Sequence, residues 1–334
     1  MRMKQVLRTG VAAALIALAP ALARAEVGEV ALAQQFGIAF MPLMQMEHDR
    51  LIEKHAVKEG LPEPKVTWAK VAGPSVMNDG LLSGALQFIS TGVPSLGLLW
   101  DRTKGGVKGL SAICSYPLTL NTRNPNVKSI RDFTDQDRIA VPSVKVSTQA
   151  IMLQMEAEKV FGPGKHTAID HLTVSLAHPD AMATFLNPTS QITAHFATSP
   201  FTERELKEPG VHPIITSYEI LGGQATALVL DTMDKFRADN PKTTRAVMAA
   251  LSEAIDAINK DKMAAAKLYK EMSGDKTPIE EIHAMMADPG FAYTLTPQKV
   301  EKTVQFQNRI GSVKTPVKSW KELFFPEAHE LPGD

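Results

Sequence analysis

Cysteine is almost missing from this chain: among 334 residues there is one, Cys114. No internal disulfide can form, so a buried core must supply the stability, which a chain of this length permits. Long apolar runs are missing too. Beyond the first 25 residues no stretch approaches the ~20 apolar residues of a membrane-spanning helix. Charge of one sign is not in excess either, with 36 basic and 36 acidic residues, and nothing in that balance suggests nucleic acid, which wants a concentrated basic face. Catalytic motifs are also absent: no G-x-S-x-G elbow, no H-E-x-x-H, no G-x-x-x-x-G-K-[ST] and no G-x-G-x-x-G opening a helix. His48 and His55 stand two helical turns apart, too far to share one metal ion. These absences point away from an enzyme and call for no cofactor and no metal.

What is present begins at the N-terminus. Arg2, Lys4 and Arg8 precede the apolar run Val11 to Leu22, and Ala23-Arg24-Ala25 follows. This is the charged, apolar and small-residue order of a cleavable secretory signal peptide, with cleavage expected after Ala25. Removing residues 1–25 leaves 32 basic against 36 acidic residues, a net charge of −4. No cysteine lies at the cleavage site to carry a lipid, so the expected product is a free periplasmic protein with no stable membrane insertion.

Strand-like runs then alternate with helical ones. Val30 to Phe36, Val66 to Ala72, Gln87 to Ser90, Ile139 to Val141, Leu172 to Ser175, Ile192 to Phe196 and Ile214 to Tyr218 read as strands. Helical patterns occupy Pro42 to Lys58, Val76 to Leu86, Pro94 to Arg102, Ser147 to Val160, Pro179 to Leu186 and Phe201 to Lys207, and the C-terminal third is mostly helical. Such alternation predicts an α/β protein with mostly parallel sheets covered by helices. Within Val66 to Trp100, two strand-like runs each end in small residues and open into a helix, setting helix N-termini side by side where a small ligand can bind. Extended runs at Ile113 to Asn121 and Ala225 to Leu230 suit two crossings between lobes. The expected division is a signal peptide at 1–25, lobe I at 26–117 plus 226–334, and lobe II at 118–225.

Several segments together resemble the solute-binding proteins of ABC importers in the nitrate/sulfonate/taurine (NitT/TauT) family. They are FGIAFMPLMQMEHDRLIEKHA, SVMNDGLLSGALQFISTGVPSL, DFTDQDRIAVPS and the SWKELFFPE tail. The resemblance implies a type II periplasmic-binding fold, two α/β lobes joined by two crossing strands, closing on a small solute. It also implies partners: a membrane permease driven by a cytoplasmic ATPase, with the binding protein itself a monomer. Carried over from the family, the ligand-facing loop positions are Phe36, Phe40 and Met41, then Ser75 and Asn78, then Thr91 and Val93. Lobe II contributes Ser143, Lys145 and Ser147, and then His195, Thr198 and Ser199.

One departure from the family bears on the ligand. The turn Pro142 to Ser147 contains no glycine, and β-branched residues do not readily adopt the positive φ of an anion-cradling nest. Lys145 would supply positive charge instead. With one lysine, one histidine and no arginine at the mapped positions, an organosulfonate or other organic anion fits better than nitrate. The alternative on the same fold is a binding protein for a pyrimidine-type, thiamine-precursor or aromatic solute. Some pyrimidine-synthesising enzymes of the thiamine pathway share the fold, but their activity depends on a cysteine-rich iron-binding run, which one cysteine cannot form.

Overall fold

Residues 25–334 are described by a computed structural model. The signal-peptide expectation falls mainly on residues 1–24, outside that range. In chain order the strands are β1 (Glu29–Gln34), β2 (Lys65–Lys70), β3 (Phe88–Thr91), β4 (Val107–Ser115), β5 (Thr119–Thr122), β6 (Ile139–Val141), β7 (Thr173–Ser175), β8 (Ala194–Ala197), β9 (His212–Thr216), β10 (Thr226–Met233) and β11 (Ala292–Tyr293). The helices are α1 (Met41–His48), α2 (Leu51–Lys58), α3 (Pro74–Ser83), α4 (Val93–Arg102), α5 (Thr148–Phe161), α6 (His178–Leu186), α7 (Phe201–Glu205), α8 (Ser217–Leu221), α9 (Asp234–Asp239), α10 (Pro241–Lys260), α11 (Lys262–Ser273), α12 (Ile279–Ala287) and α13 (Val300–Arg309).

The strands form two mixed sheets, ordered β11-β4-β10-β3-β1-β2 and β7-β6-β8-β5-β9. In the first, β1 pairs in parallel with both β2 and β3, and in the second β6 pairs in parallel with both β7 and β8. Each sheet then accepts one antiparallel strand in its interior, β10 between β3 and β4 and β5 between β8 and β9, and the first sheet adds β11 antiparallel at its edge. Those inserted strands are the ones entered from the other lobe. Residues 116–118 lead from β4 to β5, and α8 with its flanking residues leads from β9 back to β10. The architecture is therefore two α/β lobes connected by two chain crossings.

Local sequence explains the elements that place the cleft. The β3 run FIST is buried along its length, as a central strand covered on both faces must be. Gly92 then leaves the strand, and Pro94 opens α4 where a missing N–H costs nothing. Across the cleft, the Ser147 hydroxyl caps α5 by accepting from the Ala150 N–H at 3.3 Å, and Gly162 at φ 105° ends that helix. The expected single helix from Pro42 to Lys58 is two helices. Arg50 at φ 51° breaks it, turning both halves so that their apolar residues, Met41 to Met46 and Leu51 with Ile52, join one core beside α10.

Candidate ligand-binding site

Six strands end at one seam between the lobes, three from each side. Gln35 and Phe36 follow β1, Pro74 follows β2 and Gly92 follows β3; facing them, Pro142 follows β6, His178 follows β7 and Thr198 follows β8. They surround a cavity of about 30 Å³, which Phe40, Tyr116, Ser147 and Gln149 also line. Ligand sites in open α/β sheets lie at these carboxyl ends.

The polar wall comes from lobe II and is hydrogen-bonded in series. Gln149 Nε2 lies 3.3 Å from His178 Nε2, His178 Nδ1 lies 2.9 Å from His195 Nε2, and His195 Nδ1 lies 2.5 Å from Glu205 Oε1. Asn121 Nδ2 donates to the second Glu205 oxygen at 2.9 Å. A carboxylate only accepts, so His195 Nδ1–H donates to Glu205, and the remaining directions follow: His178 Nδ1–H to His195, and the Gln149 amide to His178 Nε2. Burial, with His195 beside it, holds the His178 imidazole well below its ordinary pKa. The deep cavity is therefore lined by neutral donors and acceptors.

From lobe I the wall is aromatic. Phe36 and Phe40 line the cavity, and Tyr116, on the first crossing, stacks on Phe291 with ring centroids 4.9 Å apart while its hydroxyl accepts from Thr198 at 2.8 Å. The lobes touch directly around the rim. The Ile38 N–H donates to the Ser199 carbonyl at 3.1 Å, and the Ser75 N–H to Ser143 Oγ at 3.4 Å. Glycines make the approach close enough: a Cβ at Gly73 would stand 2.5 Å from the Pro142 carbonyl oxygen, and one at Gly92 2.0 Å from Thr148 Oγ1.

No protein-family model matches the sequence, and no curated protein matches it. Solved structures do match. The alkanesulfonate-binding protein SsuA from Xanthomonas axonopodis pv. citri, bound to MOPS, has a TM-score of 0.65 at 17% identity, covering 84% of this chain and 91% of that one. The periplasmic nitrate-binding protein NrtA from Synechocystis PCC 6803 has a TM-score of 0.69 at 14% identity, covering 89% and 84%. For the periplasmic aliphatic sulphonate binding protein SsuA from Escherichia coli the values are 0.63, 16%, 90% and 92%. This chain has the periplasmic-binding-protein fold.

Within this binding-protein fold the expected site residues separate into groups. Phe36, Phe40, Ser147 and Thr198 line the cavity. Ser75, Ser143 and Ser199 sit on the seam, where backbone groups or hydroxyls already join the lobes; Ser199 Oγ donates to Glu203 at 2.6 Å. Met41, Asn78, Thr91 and Val93 lie outside it. Met41 and Val93 are in the apolar core, Asn78 accepts from Ser95 Oγ at 2.9 Å, and Thr91 donates to Asp231 at 2.5 Å. Thr91 points inward because successive residues of a strand face opposite sides, and Met41, Asn78 and Val93 lie on the buried faces of α1, α3 and α4. His195 is fully buried behind His178, so it orients the cavity wall and does not form it. Lys145 is exposed and lines none of the cavities described here. It also supplies the positive φ that the absence of glycine argued against, at 61°, between Val144 and Val146.

Gln35, Tyr116, Gln149 and His178 were missed by the sequence reading. His178-Pro179 opens α6 straight after β7, the same strand-to-helix punctuation that marks Gly73-Pro74 and Gly92-Val93-Pro94, and that signal could have found it. Gln149 carried no such mark beyond its place in the first turn of a capped helix.

A second cavity of the binding-protein fold, of about 400 Å³, adjoins the first through Gln35 and Phe36. It lies between lobe I residues such as Met44, Lys70 and Tyr269 and lobe II residues such as Met182, Phe201 and Arg204. A larger groove of about 760 Å³ runs between α5 and α13, but it follows the half of α5 remote from the seam, and Glu158 there pairs with Arg309 at 2.6 Å.

Proposed function

We propose that this protein is the periplasmic solute-binding component of an ABC importer of the NitT/TauT kind. It captures a small organic solute, an organosulfonate or other organic anion, and delivers it to a membrane permease driven by a cytoplasmic ATPase. Residues 26–117 with 226–334 form one lobe and 118–225 the other. The observation that carries this reading is the seam cavity, built from the carboxyl ends of three strands of each lobe and walled by Gln149, His178, Thr198, Phe36 and Phe40. A solute touching both walls stabilises the closed arrangement by its differential affinity for it, and no bond is made or broken.

The solved structures of like fold include proteins titled as sulfonate- and nitrate-binding, which supports solute capture without choosing the solute. Among the described residues no helix is long and apolar enough to cross a membrane, and the N-terminal residues read as an export signal. The working unit is a monomer and the chain is not an enzyme.

Thermal-shift screening of residues 26–334 against organosulfonates, aromatic carboxylates and nitrate, with calorimetry on each hit, tests the reading. An organic anion is expected to raise the melting temperature with concentration, and His178→Ala to weaken its binding by about tenfold, the cost of ~1–3 kcal/mol for an unsatisfied polar group. Tight nitrate binding with no organic response would overturn the solute class, and turnover of a hit would overturn the binding role.

A further inference from the structure

The two adjoining cavities differ in charge as well as size. About 30 Å³ is room for roughly one water; of the hydrogen-bonded series only Gln149 and His178 wall it, both uncharged, and lobe I faces them with aromatic side chains. The outer cavity of about 400 Å³ is in the range of small-molecule sites and is lined by three cations, Lys70, Arg204 and Lys276, against one acid, Asp275. Arg204 Nη1 pairs with Asp275 at 3.3 Å across the lobes. Among the described residues neither Lys70 nor Lys276 has a carboxylate partner, and the Lys70 ammonium sits 5.8 Å from the Phe36 ring centroid. The remaining lining is apolar and aromatic: Phe36, Met44, Met182, Phe201 and the body of Tyr269.

We propose that the outer cavity is the seat of the solute's apolar body and of its anionic group. The solute is then an elongated amphiphilic anion. Its polar, uncharged end enters the seam at Gln149 and His178, its aromatic or branched body packs on Phe36, Met44, Met182 and Phe201, and its sulfonate or carboxylate meets Lys70, Lys276 and the free guanidinium donors of Arg204. This assignment rests on the reading of the seam as a solute site, and it replaces Lys145 as the expected source of the positive charge. The physical reason is desolvation. A bare anion in the neutral deep cavity would lose its hydration without a counter-charge, whereas the net charge of +2 lining the outer cavity offsets that loss at a partly hydrated position. Met and aromatic walls adapt to an apolar body without fixing one shape.

The test is calorimetry on residues 26–334 with a panel of hydroxyaryl alkanesulfonates and carboxylates, which carry an uncharged polar end opposite the anionic group, the compound of the same skeleton with an alcohol in place of that anionic group for each, and nitrate as an anion without a body. The variants are the double substitution Lys70→Gln with Lys276→Gln, both at exposed positions, and separately Gln149→Ala. The wild-type chain should bind the aryl anions more tightly than their alcohols, with affinity falling as salt rises. The double variant should lose about tenfold for the anions and nothing for the alcohols, while Gln149→Ala should weaken both. Equal affinity for an aryl anion in wild type and double variant overturns the assignment and leaves solute capture standing. Failure of every aryl anion in a chain that responds to other solutes also overturns it. Failure of every solute overturns both this assignment and the binding role.

Discussion

Asp231 is a carboxyl group with no water to face. It is fully buried on β10, and among the described residues its carboxyl group has one partner, the Thr91 hydroxyl at 2.5 Å, while its second oxygen has none. Burial pushes its pKa well above the ordinary carboxylate value, with the Thr91 bond opposing the shift only in part. The folded chain therefore holds a proton here that the unfolded chain releases above pH ~4. Stability supplied by that proton is present at acid pH and declines as pH rises from ~4 through the folded value. Asp231→Asn removes the titration, so its stability relative to the native chain should climb with pH across that window. Urea denaturation at a series of pH values checks this, and parallel pH profiles for the two chains would refute it. Nothing in the residue string distinguishes Asp231 from a surface acid. Its burial comes from β10 being inserted between β3 and β4, a contact with strands more than a hundred positions away.

Among the elements, α10 shows how a distant residue completes a helix. Its apolar positions Val247, Leu251, Ala254 and Ile258 recur at the three- and four-residue spacing of a buried face. Its N-terminus, however, lacks a side-chain cap from its own flank. Glu26 does that work: its carboxylate accepts from the Lys242 and Thr243 N–H groups at 2.9 and 2.7 Å, and from the Thr243 hydroxyl at 2.7 Å. Glu26→Ala should cost about 1 kcal/mol by loss of the cap and of a negative charge at the helix N-terminus, read as a lower urea midpoint at unchanged slope. An unshifted midpoint would show the cap to be dispensable. Most elements were legible because strands such as FIST and helices such as α5 carry their own period and punctuation. The break at Arg50 was not legible. It is imposed by packing of α1 and α2 against α10, while the local string MEHDRLIEK reads as continuous helix.

For the molecule as a whole, the lobes and the seam could be anticipated because strand-to-helix transitions mark the carboxyl ends that build it. The identity of the wall could not. Which of two neighbouring loop residues faces the cleft depends on how one lobe meets the other, so Thr91 and Asn78 turned inward while Gln149 and His178 came to the front. Lobe contacts run well past the cavity, through the Arg204–Asp275 pair and the Lys207–Glu281 pair. The exposed Lys207–Glu281 pair contributes little, about 0–1 kcal/mol, whereas Arg204–Asp275 is half-buried, with its carboxylate only 7% exposed.

The missing methyl groups along the seam set a threshold. Gly73 has an extended backbone that any residue adopts, so alanine there is penalised only when the lobes come together and its Cβ meets the Pro142 carbonyl. The apparent dissociation constant of a two-state binder is the intrinsic one divided by the fraction of molecules able to close. A clash worth ~1.4 kcal/mol would therefore cut affinity tenfold with every cavity side chain unaltered. Gly73→Ala should show that loss by calorimetry, with an unchanged melting temperature in the absence of solute and a larger radius of gyration when solute is present. Unchanged affinity would mean that the seam yields to the methyl. If it does not yield, capture strength in this molecule is a quantity that can be dialled from a position the solute never reaches.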